Sequence, residues 1–295
     1  MRLLVVNADD FGLDPAVNAA VEQAHTQGIL TSASLMVSAA HAQEAMECAK
    51  RYPKLGVGIH LCLVDARPTA APEDLGGLIG DDGQLPKSPG ALAAKLGFAK
   101  HAEEAVEVEL RAQIGRFLSA GLNPTHLDTH MHAHIQPRVL EIVARLAREY
   151  KVPFVRAPVE PLGMALRCGR RNLPRKLARW TIFSTLGGRA RRRLRQRGVR
   201  TVDRAIGVLD PGHLTEEFLL AYLKAMPEGL TEIFFHPATE TSEALRRYQP
   251  RSERGQHHYQ HTEELQALCS PRAREVIERR GIRLMNFREL AGAGC

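Results

Sequence analysis

The sequence predicts an α/β protein, a variant (β/α) TIM-like barrel of about seven strands that carries a basic helical insertion. Strand-like apolar runs alternate with amphipathic helical stretches along the chain, which argues for a parallel sheet with helical crossovers. No Gly-x-Gly-x-x-Gly or Gly-Lys-Ser/Thr turn is present, so a dinucleotide-binding or P-loop sheet is unsupported. Polar, chemistry-bearing side chains recur at the C-terminal ends of the apolar runs, where barrels place their active sites. With 295 residues, 44% of them apolar, the chain can bury one large core, and residues 1–295 read as one domain.

Leu3 to Val6 reads as the first strand, and it runs into Asp9, Asp10 and Gly12. Adjacent strand side chains point to opposite faces, so the two acids share a site only where the backbone turns, which Gly12 permits. Asp14-Pro15 supplies the cap for a helix from Ala16 to Gly28, leaving the doublet without a structural task. Ser34 to Val37 is a second strand, about Ala40 to Tyr52 a helix, and Gly56 to Val64 a third strand with His60 inside it. From about 65 to 100 the periodicity gives way to Pro, Gly and Ala, and the stretch reads as a long loop excursion of lid or binding-loop type. Glu103 to Gly121 is helical, Thr125 to His130 a strand, Arg138 to Tyr150 a helix and Phe154 to Arg156 a short strand. After an Arg-rich insertion at about 161–200 come a strand at Val202 to Val208, a helix at Thr215 to Ala225, a strand at Glu232 to His236, a helix at Pro271 to Arg280 and a strand at Ile282 to Asn286.

The net charge is +7, from 40 basic and 33 acidic residues. Between Pro161 and Arg200 there are thirteen basic residues and no acid, so the remainder of the chain is acidic and the basicity is local. That segment lacks the aromatic interleaving of single-strand binders and any DNA-reading motif, which argues against nucleic acid. Leu177, Trp180, Ile182, Phe183 and Leu186 lie between its arginines, a pattern suited to an anionic membrane surface or a lipid-linked substrate. No run is long enough to span a membrane and no leader is visible, so the expected location is cytoplasmic, with association at the inner membrane face. Cys48, Cys62, Cys168, Cys269 and Cys295 are widely spaced and read as free thiols. Nothing in the sequence decides between a monomer and a homodimer.

Four polar features fall at strand ends: Asp9-Asp10, His60, the run His126, Asp128, His130, His132 and His134, and His236 before Pro237. In the third, alternation with Leu127 and Thr129 puts His126, Asp128 and His130 on one strand face. Imidazoles and carboxylates gathered on one rim suit a divalent metal ion, and two histidines plus one carboxylate leave positions open for water and substrate. His257, His258 and His261 lie in a polar region and read as a solvated loop.

Taken together, Asn7-Ala8-Asp9-Asp10-Phe11-Gly12, Gly58-Ile59-His60-Leu61, Thr125 through His134 and Phe235-His236-Pro237 resemble the YdjC-like carbohydrate deacetylases. Within that family the basic insertion followed by Gly207 to Glu217 is most similar to the hopanoid-biosynthesis branch. The resemblance implies a variant (β/α) barrel in which Asp10, His60 and His130 hold one divalent ion, Zn2+ or Mg2+. It implies Asp9 as general base and His236 as general acid, with Arg156, similar to the Arg-x-Pro arginine of polysaccharide deacetylases, orienting the catalytic carboxylate. Met131 stands where other members often carry a histidine. The implied reaction removes acetate from an N-acetylglucosamine-type sugar, and the hopanoid branch implies a lipid-linked one; a soluble chitooligosaccharide is the alternative. His126, His132 and His134 keep open a second metal, and with it a phosphoesterase or cyclic amidase, and Asp128 reads as the partner that sets a histidine tautomer. A non-enzymatic basic module, with structural histidines, is the other competing class.

Overall fold

The computed structural model describes residues 1–169, 172–248 and 258–293. Arg170, Arg171, His257 and Cys295 lie outside the described residues. The strands are β1 (Arg2–Phe11), β2 (Ser32–Leu35), β3 (Gly56–Leu61), β4 (His126–Thr129), β5 (Phe154–Val155), β6 (Arg204–Ile206), β7 (Gly229–Phe235) and β8 (Ile282–Leu284). All pairings are parallel, and seven strands curl in the order β5-β4-β3-β2-β1-β7-β6 with helices around them. At the β5 edge Phe154 forms an isolated parallel bridge with Arg200, which precedes β6 in the chain. β8 pairs with Arg2 to Leu4, the part of β1 that β2 does not reach. The expected α/β fold of about seven strands is what forms, as a curled half-barrel with β8 as a short addition.

The period of two explains how the interior is filled. On β1, Leu4, Val6 and Ala8 pack outward into the cluster shared with the helices, whereas Leu3 and Val5 join Phe154, Val202, Phe234 and Phe287 in a second cluster inside the curl. Asn7 and Asp9 continue that inner face, so a polar layer sits directly above an apolar floor. Gly58 on β3 faces His126: a Cβ there would lie 2.4 Å from the imidazole Nδ1 and 2.5 Å from the His126 carbonyl oxygen.

Helix starts follow local chemistry. Asp14 caps the helix Pro15–Gln27 by accepting from the Ala16 N–H, with Pro15 in the first turn and Gly28 closing it. Gly28 is needed for approach, since a Cβ would meet the Leu268 carbonyl at 2.4 Å. The second strand lies at Ser32–Leu35, two residues before the expected span.

Two expectations change. β1 continues through both acids to Phe11, with Asp10 at φ +63° and a register slip between Ala8 and Phe11, and the turn that follows, closed by the Leu13 N–H on the Asp10 carbonyl, has Gly12 at φ +98°. The excursion at 65–100 contains a 3-10 turn, Pro72–Leu75, and a helix, Pro89–Phe98, started by Ser88 and Pro89; that helix carries no strong amphipathic pattern, so periodicity missed it. Buried Glu109 ties the excursion down by accepting from the Thr69 and Ala70 N–H groups. The basic insertion forms part of the cavity wall. Its helix Leu173–Gln196 buries Ala190 and Leu194 and is pinned by Lys176 Nζ to Asp210 at 2.7 Å. Several of its charges are already engaged: Arg191 donates to the Asp203 carbonyl, Arg195 faces the Asp203 carboxylate and Arg197 pairs with Glu141. No helix among the described residues is long and apolar enough to cross a membrane.

Gly58→Ala forces a methyl into the His126 ring and backbone. We expect a loss of about 1–3 kcal/mol in denaturant unfolding, and a variant as stable as the parent would contradict this reading of the β3–β4 contact.

Candidate active site

Asp10 sits next in the chain to an inward-facing residue, and on a regular strand it would point outward. Its left-handed backbone swings it onto the rim instead, where Oδ1 lies 3.4 Å from His60 Nε2 and 3.5 Å from His130 Nδ1. These three residues come from β1, β3 and the turn after β4, and their donor atoms lie within 4.8 Å of one another. All three side chains are buried, and neither Asp10 Oδ1 nor His130 Nε2 has a hydrogen-bond partner among the described residues. His60 and Asp128 are register partners across β3 and β4, so Asp128 Oδ1 meets His60 Nδ1 at 2.8 Å and turns Nε2 toward Asp10.

Behind this rim lies Arg156, fully enclosed. It forms two 2.7 Å bonds to Asp9, meets Glu232 Oε1 at 2.8 Å and Asp128 Oδ2 at 2.8 Å, and stacks over the Phe234 ring at 4.2 Å. Asn7 adds a bond to Asp9 Oδ1 at 2.8 Å. Burial alone would raise the Asp10 carboxyl, but the neighbouring imidazoles of His130 and His60 hold it below the usual range. Burial opposes protonation of His60, yet the Asp128 carboxylate pushes it up to about 9. Burial raises Glu232 to about 7 against the pull of Arg156.

Three buried carboxyl groups, Asp9, Asp128 and Glu232, thus face one guanidinium, and a fourth, Asp10, faces His60 and His130. That excess of negative groups beside two imidazoles fits a divalent cation at Asp10, His60 and His130. A second grouping, Asp9, His60 and Asp128, is also close-set, but it shares His60 and its two carboxylates already bond Arg156.

The other histidines part company. His126 bonds Ser34 Oγ and Thr125 Oγ1, and His134 bonds Thr129 Oγ1 and the Arg156 carbonyl; burial lowers each to about 4, as suits neutral structural rings. His236 borders the cavity, its backbone N–H held by Glu264 at 2.5 Å, and burial lowers its pKa. His261, expected in a solvated loop, is instead buried at the start of the helix His261–Leu268, with Nδ1 2.6 Å from the His236 carbonyl. His258 is exposed.

The cavity measures about 220 Å3 and is bordered by Asp9, Asp10, His60, His130 and His236, with Arg156 one layer back. Its walls include Arg179 and Phe183 from the basic helix, and Tyr248 and Tyr259 from the C-terminal region.

Residues 3–279 match the model of the YdjC-like protein family. The chain belongs to that family. A carbohydrate deacetylase of Geobacillus stearothermophilus is 31% identical to this YdjC-like protein over 98% of both chains. A carbohydrate deacetylase of Brevibacillus brevis is 44% identical over 52% of this chain and 59% of its own length. The crystal structure of an Enterococcus faecalis V583 protein, provisionally assigned to cellobiose-phosphate cleavage, is similar at a TM-score of 0.71 and 27% identity, covering 98% of each chain.

Sequence reasoning passed over Asn7, Ser34, Glu232 and Glu264. For Asn7 and Glu232 a signal existed, since each continues the inward period of an apolar strand. Tyr248 and Tyr259 carry no such mark, because only tertiary packing brings them over the rim.

Arg156→Met leaves buried carboxylates without their cation, and we expect it to destabilise the fold by about 3–5 kcal/mol at neutral pH. Without Arg156, which pulls it down, the folded Glu232 carboxyl rises further above its unfolded pKa. The folded state then holds protons that the unfolded chain releases, so the deficit is least below about pH 4.5 and grows toward pH 8. Urea unfolding at both ends of that range checks this; an equal deficit at each would contradict it.

Proposed function

We propose that this YdjC-like protein is a carbohydrate deacetylase that hydrolyses the N-acetyl group of an N-acetylglucosamine-type sugar, using one divalent cation held by Asp10, His60 and His130. The observation that carries the proposal is the convergence of Asp10 Oδ1 with His60 Nε2 and His130 Nδ1 beside the Arg156-locked Asp9. Relatives named carbohydrate deacetylase, one matched along nearly its whole length, support the same reading. Two imidazoles and one carboxylate favour Zn2+, while Mg2+ would draw mainly on oxygen ligands.

A cation held by Asp10, His60 and His130 would supply Lewis acidity to the acetyl carbonyl and would lower the pKa of water. Asp9 takes the proton of the attacking water. Arg156 and Asn7 fix its carboxylate in place, so the base is oriented before substrate arrives. Asp128 keeps His60 turned toward Asp10. An amine leaves poorly unless protonated, and His236, on the opposite side of β1, supplies that proton to the nitrogen. Its buried, low-pKa imidazole is a strong acid once charged. The products are acetate and a free amino sugar. A two-metal phosphoesterase or amidase would need further ligands, and His126 and His134 have both ring nitrogens engaged.

The finer reading is a lipid-linked substrate, an N-acetylglucosaminyl hopanoid, met at the cytoplasmic face of the membrane. Supporting it are the apolar cavity walls of Leu13, Val17, Met131 and Leu245, and the exposure of Leu173, Leu177 and Ile182 on the basic helix. Apolar side chains among arginines suit an anionic bilayer.

Asp9→Asn should keep its cation and lose about 10²- to 10⁴-fold in kcat, whereas His130→Ala should lose cation by elemental analysis; the reverse pattern would overturn the assignments. His236→Ala should suffer a similar loss on an N-acetyl sugar but little on 4-nitrophenyl acetate, whose leaving group departs without a proton. Equal losses on both would remove His236 as the acid. For the finer reading, acetate release from an N-acetylglucosaminyl lipid in anionic vesicles should outpace release from a soluble chitooligosaccharide, and a preference for the latter would sink it.

A further inference from the structure

Of the four histidines between Thr125 and Ile135, three have evident tasks: His130 faces Asp10, and His126 and His134 are bonded at both ring nitrogens. His132 is different. It is 9% exposed and borders the cavity, yet neither ring nitrogen has a hydrogen-bond partner among the described residues, and Nδ1 is sealed from solvent. A buried polar atom left unpaired costs about 1–3 kcal/mol. The backbone is strained as well, for Met131 and His132 are consecutive non-glycine residues at φ +53° and +54°.

A histidine kept for packing alone would be bonded like His134, or replaced by an apolar side chain in a relaxed turn. Instead the ring is clamped edge-on between Phe183 and Phe234, with centroids 5.3 and 5.5 Å away and interplanar angles of 84° and 77°. Phe183 also borders the cavity, and it is brought there by the basic helix, which Lys176 pins to Asp210 and Arg179 to the Val208 carbonyl. With Nδ1 sealed, the imidazole meets the cavity through its other edge. The tautomer protonated at Nε2 then hides only a lone pair and offers a donor to a ligand.

We propose that His132 and Phe183 form a sugar-binding subsite of this pocket, in which the His132 imidazole donates to a hydroxyl or acetamido oxygen of the substrate and Phe183 packs against the apolar face of its ring. A pyranose has both surfaces, a polar rim and C–H faces. The subsite rests on the carbohydrate deacetylase reading and deepens it, since it gives the strained turn and the basic helix a joint part in recognition.

The test uses the cation-loaded full chain with octyl N-acetyl-β-glucosaminide, reading Kd by titration calorimetry, KM and kcat by acetate release, and stability by melting. His132→Asn, which tolerates the left-handed backbone, and Phe183→Leu should each raise Kd and KM by about tenfold or more, with kcat changing less and with cation content and melting temperature near those of the parent. Unchanged Kd and KM in both variants would overturn the subsite, whether or not melting falls, as would a drop in kcat at constant KM. A parent protein that releases no acetate from the glycoside would overturn the deacetylase reading, and the subsite with it; parent turnover with unaltered variant KM removes the subsite alone.

Discussion

One guanidinium organises the interior of this protein. Arg156 is enclosed among Asp9, Asp128 and Glu232, and each of those carboxylates stands on a different strand or at its end. Taking so many charges out of water is unfavourable by several kcal/mol per ion unless the geometry is close to ideal. Here it is met by bidentate bonds to Asp9, a shared contact to Glu232 and Asp128, and the face of Phe234. Such a network contributes less to net stability than to specificity of arrangement, because any shift of β1, β4, β5 or β7 would strand a buried charge. The orientation of Asp9 and, through Asp128, of His60 follows from it.

The second constraint is backbone strain placed where the chemistry is. Asp10, Met131 and His132 all adopt left-handed conformations that non-glycine residues seldom hold. At Asp10 that conformation lets two consecutive acids serve one site, Asp9 facing the interior network and Asp10 facing the histidines. The helix-covered outer layer, from Leu4 and Val6 on β1 to Val139, Val143 and Leu146 on the helix Pro137–Glu149, supplies the rigidity that keeps these conformations in place. The basic segment joins in this from outside the barrel, for its helix Leu173–Gln196 closes one wall of the cavity with Arg179 and Phe183.

Much of this was legible in the amino-acid order. Alternating strand and helix patterns specified a parallel α/β sheet, and the period of two through His126 and Asp128 specified a polar inner face, because strand geometry is local. The same local rules located the cap at Asp14 and the acids at the end of the first strand. They failed at 65–100, where an Ala- and Gly-rich helix lacks a hydrophobic stripe, and at His261, whose polar neighbours give no hint that it is buried against His236.

The sequence by itself determined the class of fold and the stock of ligating and acid–base side chains, since both follow from spacing over a few residues. Only tertiary structure decided which histidine faces the Asp10 rim and which are bonded into the framework, that Asp10 takes a left-handed backbone before the turn at Gly12, and that the arginine-rich helix is a wall of the cavity. Those outcomes depend on contacts between residues tens to hundreds of positions apart, such as Arg156 with Asp9 and Lys176 with Asp210, whose partners no local pattern can name.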